Sequence, residues 1–234
     1  MALSRRLAAV LGLVDECEIL ADIGTDHGLL PIEACNLNLC TRAIACDIGR
    51  KPLDVARANI AAAGLSHRIE TRLGDGLRPL HIGEADCVVI SGMGGMRIWS
   101  ILHDELEKVK TANRLILGPQ HNIPELRKNL HGMGCEIFAE KLVYEDSHFY
   151  TILAARYAEN VEPWTDEEYF LGKHLGDSAD YVGYLQYHRE LIFSYVGSVS
   201  HPNSRQLAEM RLGWIEAQLV SLSSCKREKV HCDL

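Results

Sequence analysis

The residues of this sequence that could do chemistry begin in one short stretch, Asp22-Ile23-Gly24-Thr25-Asp26-His27-Gly28. An apolar run over residues 19–23 leads into it and a helix-like segment follows, which predicts a strand, a glycine turn and a helix. Glycines in such a turn let backbone N–H groups approach a ligand. The spacing D-x-G-x-D-x-G differs from the dinucleotide fingerprint G-x-G-x-x-G. A leading acid suits a ligand with a cationic amino-acid end better than a pyrophosphate.

Two further acids follow at the ends of predicted strands. Asp47 closes segment 42–47, about 20 residues beyond the loop, where a carboxylate can accept both hydrogen bonds of a ribose diol. Asp75 lies between two glycines after the third predicted strand, where it can hydrogen-bond an adenine amino group. Taken singly, Asp47 is equally an ordinary strand-end acid and Asp75 equally a turn residue. Their order along the chain is the stronger signal.

The elements that must position these residues alternate between strand and helix patterns. Segments 135–144 and 149–157 follow one another without a helix, which predicts an antiparallel pair joined at residues 145–148. The fold class is therefore α/β, a doubly wound sheet whose reversed edge is its antiparallel last strand. The other strands are predicted at 19–23, 42–47, 69–73, 86–91 and 114–117, and the helices at 3–13, 27–36, 52–63, 96–109 and 123–132.

The pattern changes near residue 160. Residues 166–222 hold no strand-like alternation, and their apolar residues recur at helical spacing. Two helices joined by a short loop with Gly and Pro predict an antiparallel helical hairpin. The chain is thus divided into a domain 1–160 and a coiled-coil-like hairpin domain 161–234. The hairpin core is predicted to hold Tyr181, Tyr184, Leu185, His188, Leu191, Ile192, Tyr195, Leu207, Met210, Leu212, Trp214, Ile215, Leu219 and Leu222.

Composition limits the classes of partner and compartment. A net charge of −8 argues against binding nucleic acid through bulk charge, so such a partner requires local basic patches. The candidate patches are Arg5 with Arg6, Arg97, and Lys226-Arg227-Lys229, although solvated surface is the default interpretation of each. The eight cysteines form no C-x-x-C pair and no metal-binding spacing, which indicates a reduced, cytoplasmic protein without a metal. No apolar run approaches the roughly 20 residues of a membrane span.

The glycine loop, Asp47 and Asp75, in this order, resemble the S-adenosylmethionine-dependent methyltransferases of the Rossmann-like class, as does the antiparallel last strand. Together, D-I-G-T-D-H-G-L-L-P, G-D-G-L, S-G-M-G-G and Y-E-D-S-H-F-Y resemble one family over the whole chain. That family is the bacterial tRNA adenine-N1 methyltransferases, which modify adenine 22 and carry an appended helical hairpin. The resemblance implies S-adenosylmethionine as cofactor and tRNA as substrate. It implies cofactor contacts from Asp22, Gly24, His27, Gly28, Asp47, Ile48, Asp75, Gly76 and Gly92.

The resemblance places the acceptor at the end of the fourth strand. The Asp/Asn-Pro-Pro-aromatic stretch of amino-group methyltransferases is absent there, and Ser91-Gly92-Met93-Gly94-Gly95 stands instead. Adenine N1 carries a lone pair, so it can attack the sulfonium methyl without prior deprotonation once it is aligned. Asp26 is the candidate catalytic residue, as a carboxylate near the cationic product, although it is equally placed to be a helix N-cap. The candidate substrate-binding residues are Met93, Gly94, Arg97 and Tyr150.

One departure and two alternative functions stay open at this point. Gly118-Pro119-Gln120-His121-Asn122 stands where the family has a Q-P-N-like stretch, so the role of Gln120 and Asn122 is open. One alternative is a methyltransferase for a protein or small molecule, which the acidic net charge would suit. Another is a non-catalytic interaction protein that retains a cofactor pocket. The chain is expected to act as a monomer.

Overall fold

A computed structural model describes residues 4–176, 178–199 and 201–232, and it contains one seven-stranded sheet. The strand order is β3-β2-β1-β4-β5-β7-β6, with β7 antiparallel to both neighbours and the other adjacent pairs parallel. The predicted α/β sheet with an antiparallel last strand is therefore confirmed. The strands are β1 (Cys17–Ile23), β2 (Cys40–Asp47), β3 (Ile69–Leu73), β4 (Cys87–Met93), β5 (Arg114–Pro119), β6 (Cys135–Glu145) and β7 (His148–Tyr157).

The central strands are covered on both faces. Side chains alternate between the two faces of a strand, so consecutive buried residues require packing on each side. Leu20 to Ile23 in β1 and Cys87 to Ile90 in β4 are such runs, and every member is less than a tenth exposed. The helices of this unit are α1 (Arg5–Leu11), α2 (Leu29–Asn36), α3 (Arg50–Ala62), α4 (Gly95–Asp104), α5 (Leu106–Val109) and α6 (Ile123–Gly132).

The reversed strand lies one position in from the sheet edge, where the sequence predicted a reversed edge. β6 and β7 are joined by only two residues, Asp146 and Ser147, with φ of 49° and 63°. Two positive φ values in a two-residue loop are the requirement of the tight turn that matches strand twist. The hairpin folds β7 back against β5, so β6 becomes the outer strand.

Two predicted helices differ from those observed. The single helix expected over 96–109 is divided at Glu105, whose φ of −128° and ψ of 40° lie outside the helical region. The first helix begins at Arg5, because the Ser4 hydroxyl caps it by accepting the Leu7 N–H at 3.1 Å. Leu3, where the helix was expected to begin, lies outside the described residues.

The chain divides into two compact units, Met1–Pro163 and Trp164–Leu234. The second unit contains α7 (Asp166–Leu171), α8 (Tyr181–Val196) and α9 (Pro202–Cys232), and α8 packs against α9. A capping box of Thr165 and Glu168 begins α7, a helix that the sequence pattern did not separate. No described helix combines the length and the apolar character needed to cross a membrane.

The predicted core of the helical hairpin is only partly correct. Tyr181, Tyr184, Leu185, Ile192, Leu212 and Ile215 are buried as expected. Leu191, Tyr195, Leu207 and Met210 are between 37% and 45% exposed, so they are not core residues. Helical spacing identifies a broad apolar face, but it does not identify which part of that face meets the neighbouring helix.

Candidate cofactor-binding and active site

A cavity of about 490 Å³ opens where β1, β2, β4 and β5 end. Open α/β sheets bind ligands at this position, outside the carboxyl ends of the strands where the strand order reverses. The structure brings the predicted residues Asp22, Gly24, Asp26, Asp47, Gly92 and Met93 together on its wall. The other lining residues are Ser4, Arg6, Leu7, Val10, Thr25, Leu29, Leu30, Pro52, Ser91 and Gln120.

Asp22 is a nearly buried carboxylate at the end of β1, with 6% of its surface exposed. Burial raises the pKa of Asp22 to about 6, the Thr25 hydroxyl opposes that rise, and Asp47 and Asp26 add to it through charge repulsion. Thr25 is fully buried, and its Oγ1 has no hydrogen-bond partner of good geometry among the described residues. The cavity therefore offers an acidic and a hydroxyl group that a polar, cationic ligand group would satisfy.

The glycine loop after β1 has a different backbone role from the expected one. The Gly24 and Thr25 N–H groups both donate to the Cys46 carbonyl at 2.9 Å, so they face β2 and not a ligand. His27 and Gly28 have φ of 60° and 70°, which turns the chain into α2. The loop is held close to α3, since a Cβ at Gly28 would lie 3.3 Å from the Ala56 Cβ.

Asp47 lies at the end of β2 and is half-buried on the cavity wall. One carboxylate oxygen accepts the Gly49 N–H at 2.6 Å, which fixes the turn into α3. The second oxygen leaves acceptor capacity for a ligand hydroxyl. Ile48, the next residue, is 70% exposed.

The residues expected at the end of β3 lie away from the cavity. Asp75 forms an ion pair with Arg97 and lies 4.0 Å from Arg78. Gly76 and Arg97 line a separate small concavity with it. A contact between Asp75 and an adenine amino group would therefore have to be made beside the existing ion pair.

The end of β4 brings the backbone to the cavity without side-chain obstruction. Gly92 has φ of 82°, lies at a register shift between β4 and β5, and a Cβ there would meet open space. The Met93 side chain crosses over the glycine loop, so a Cβ at Gly24 would lie 2.2 Å from the Met93 Cε. Gly94 is packed under the His121 ring, where a Cβ would be 2.3 Å from the nearest ring carbon. The glycine at 94 is thus needed for packing, and the one at 92 leaves room for a ligand.

Asp26 and Tyr150 lie at the mouth of the cavity. The Asp26 carboxylate is 85% exposed and lies 3.0 Å from His27 Nε2, so it is accessible to a substrate and is not a buried cap. Tyr150 lines a narrow crevice that adjoins the cavity and shares Ser91 and Gln120 with it.

A family model described as "Methyltransferase domain" matches residues 3–153. The tRNA (adenine(22)-N(1))-methyltransferase of Bacillus subtilis is 35% identical over 155 residues, which cover 66% of this chain and 65% of that protein. The structure of Streptococcus pneumoniae Sp1610 in complex with S-adenosyl-L-methionine is 30% identical, with a TM-score of 0.85, and the match covers 93% of this chain and 100% of that one. The chain belongs to the tRNA (adenine-22-N1)-methyltransferase family.

A further member of this family extends the match to the second unit. The structure of M. capricolum TrmK in complex with S-adenosyl-homocysteine has a TM-score of 0.82 and 26% identity. The match covers 95% of this chain and 100% of that chain. Because the first unit ends at Pro163, coverage of this extent includes the α-helical unit.

The cavity residues fit the group that these family structures contain. Asp22 matches a cationic amino group, Asp47 a ribose diol, and the Thr25 hydroxyl supplies an unsatisfied polar group. Among the described residues, no group of three or more His, Cys, Asp or Glu side chains is arranged to hold a metal ion.

The contribution of α1 to the cavity does not follow from the sequence pattern. Ser4, Arg6, Leu7 and Val10 line it, although they lie far along the chain from the β-strands that form its floor. The amphipathic pattern of the first helix predicts that it packs, but not where. Gln120, whose role the sequence left open, also lines the cavity, and its position at the end of β5 explains why.

Proposed function

We propose that this chain transfers the methyl group of S-adenosylmethionine to N1 of an adenine in tRNA, at position 22. The cavity supports this proposal, since it places the buried Asp22 and the half-buried Asp47 on one wall and an open backbone at Gly92 opposite them. The B. subtilis relative acts on adenine 22 of tRNA by its name. The match spans about two thirds of that protein, 65% of its length.

The residues of the first unit have distinct roles in the proposed reaction. Asp22 binds the cofactor amino group and Asp47 the ribose diol, while His27, Gly28 and Ile48 shape the loops that hold them. Asp75 and Gly76 reach the adenine from the neighbouring concavity. Bound S-adenosylmethionine supplies an activated methyl group. Gly92 leaves space for the flat acceptor base beside it.

The acceptor needs alignment and not deprotonation. The N1 lone pair of neutral adenine attacks the methyl carbon in line, and the positive charge moves from sulfur to the base. Asp26, exposed at the cavity mouth, stabilises that charge as a carboxylate. Met93, Gly94, Arg97 and Tyr150 contact the substrate, which requires the base to leave its stack.

The two units have separate tasks in this proposal. Residues 1–160 carry the cofactor and the catalytic site, and residues 161–234 contact tRNA through the helical hairpin. The protein works as a monomer in the cytoplasm, where its tRNA substrate is found.

The test is transfer of labelled methyl from S-adenosylmethionine to unmodified bacterial tRNA, followed by nucleoside analysis. We expect N1-methyladenosine, and we expect none in a transcript with guanine at position 22. Methylation of that control transcript would contradict the position. Absence of transfer to any tRNA, with cofactor binding intact, would favour a protein or small-molecule acceptor or a non-catalytic role.

A further inference from the structure

The cavity carries opposite charges at its two ends. Asp22, Asp26 and Asp47 line the end that β1 and β2 form. Among the described lining residues, Arg6 is the one cationic side chain, and it faces the end that β4 and β5 form, beside Gln120. A cationic cofactor group and an anionic substrate group are therefore attracted to different ends.

The backbone of Arg6 is held in place by contacts between α1 and β6. The Glu145 carboxylate accepts the Arg5 N–H at 2.6 Å and the Arg6 N–H at 3.4 Å. At the other end of α1, Lys141 Nζ donates to the Gly12 carbonyl at 2.9 Å. Because both ends of the helix are fastened to one strand, Arg6 is pre-positioned at the cavity mouth.

The guanidinium of Arg6 lies over the Tyr150 ring, 5.1 Å from its centroid. No ion pair joins it to a carboxylate within the part of the chain that the structure describes. A guanidinium that lies over an aromatic ring uses none of its N–H donors in that contact, and their fork matches a phosphate. Tyr150 thus supports a cation whose donors are available to an anion.

The anion that must approach this end is a phosphate of the substrate. A base that is extruded into the cavity carries its own flanking phosphates to the cavity mouth. A cation directly beside N1 would repel the positive charge that the base gains on methylation. Arg6 is therefore expected to bind the phosphate and not the base. The alternative cation Arg97 is already paired with Asp75, and the side chains of Lys226-Arg227-Lys229 lie outside the described residues.

We propose that Arg6, supported by Tyr150, binds the phosphate next to the extruded acceptor nucleotide and so positions the base at the methyl group. Arg6 is a positioning residue, and this inference rests on the proposed tRNA activity. It assigns recognition of the nucleic-acid backbone to the catalytic unit itself, in addition to the helical hairpin.

The test compares Arg6→Gln with the wild-type full chain in methyl transfer to unmodified tRNA over a series of salt concentrations. We expect KM for tRNA to rise about tenfold near physiological salt, and the slope of log KM against log salt to fall by about 0.7–0.9, the contribution of one phosphate contact. Cofactor affinity in calorimetry should stay within about twofold of wild type, because Arg6 faces the opposite end of the cavity. Arg6→Lys should restore most of the slope, since the charge remains.

Two further variants keep this test decisive. Arg57→Gln removes a cation that pairs with Asp54 on α3, and it should leave the salt slope unchanged. Tyr150→Leu removes the support of Arg6 and should lower the salt slope in the same direction as Arg6→Gln, with unchanged cofactor affinity, whereas loss of a direct contact between Tyr150 and the base would leave that slope unchanged; this readout remains even if Arg6→Gln does not fold. A wild-type slope in Arg6→Gln, or a loss of cofactor affinity that matches its loss of activity, overturns the inference while tRNA methylation stands. No transfer to tRNA by the wild type overturns the proposed function first.

Discussion

Asp22 combines burial with a proposed task, binding the ammonium group of the cofactor, that requires its charge. The fold raises its pKa because water is excluded, whereas a bound ammonium group stabilises the carboxylate form. The stability of the ligand-free protein and its affinity for the cofactor are therefore expected to depend on pH in opposite directions. Without ligand, the raised pKa contributes stability that is fully present below pH 3.8 and is lost as pH rises through about 6.

Cofactor affinity should follow the opposite trend to ligand-free stability. We expect it to weaken as pH falls through about 6, by up to about tenfold per pH unit, because Asp22 must lose its proton to bind the ammonium. Calorimetry between about pH 5 and pH 7 measures this. Asp22→Asn should bind weakly and show no such dependence. Equal pH dependence in Asp22→Asn and wild type would assign the effect to another group.

Asp47 should determine affinity for the ribose part of the cofactor. We expect Asp47→Ala to lose about 1.5–3 kcal/mol of binding free energy, or about 10–100-fold in Kd, because a charged hydrogen-bond acceptor is removed. Asp47→Asn keeps an acceptor for the Gly49 N–H, so it distinguishes an effect on the turn into α3 from an effect on the ligand contact. Asp54→Ala, at an exposed carboxylate on α3, is the control. Unchanged binding by Asp47→Ala in calorimetry would refute the ribose assignment.

The sequence predicted the cavity residues at strand ends better than the cavity residues that other segments contribute. Asp22, Asp47 and Gly92 end strands, so their position follows from the sheet alone. Arg6 reaches the cavity through the packing of α1 against distant segments, which periodicity does not contain. Asp75 occupies the expected strand end, but its ion pair with Arg97 depends on the side-chain geometry of α4.

The elements themselves were largely predictable, because the central strands contain apolar runs and several helices begin at a glycine or a side-chain cap. β4 is an example, with Val88, Val89 and Ile90 fully covered. The place of β7 inside the sheet was not predictable in this way. The two-residue turn at Asp146 and Ser147 pairs β7 with β6, but the choice of β7 and not β6 as the neighbour of β5 depends on tertiary packing.

α6 is joined to β6 by a fully buried ion pair between Arg127 and Glu140, with Nε 2.8 Å from the carboxylate oxygen. We expect Arg127→Met to lower the free energy of unfolding by about 3–5 kcal/mol, because the buried carboxylate of Glu140 loses its cationic partner Arg127. Arg127→Met with Glu140→Leu should recover most of that loss. Denaturant unfolding measures the free energy of unfolding of the single and the double variant.

An exposed ion pair provides the matched control for this prediction. Arg156 on β7 pairs with Glu136 on β6 at 2.8 Å, with both side chains around half exposed. Arg156→Met should cost only about 0–1 kcal/mol, since water screens the pair. Similar losses in Arg127→Met and Arg156→Met would mean that burial does not determine the cost.

The proposed function requires the whole molecule to bind a polyanion although its net charge is −8. Bulk attraction cannot supply the affinity, so contacts must come from local arrangements such as the stacked Arg6 and from the second unit. The helical hairpin also exposes apolar side chains, among them Tyr187, Leu191 and Phe193 on α8. A surface of this kind suits contact with a partner more than contact with water alone.

Removal of the helical unit should separate cofactor binding from tRNA binding. The first unit, Met1–Pro163, contains the entire sheet and every residue that lines the cavity. We therefore expect a chain that ends at Pro163 to unfold cooperatively and to bind S-adenosylmethionine within about twofold of the full-length Kd, since no cavity contact is removed. Its KM for tRNA should rise about tenfold or more if the hairpin supplies tRNA contacts of about 1.4 kcal/mol or more. Calorimetry measures cofactor affinity, and steady-state methyl transfer measures KM for tRNA. Equal tRNA methylation by both chains would show that the hairpin does not contribute to RNA binding, and Arg6 would then be the main contact to the RNA backbone.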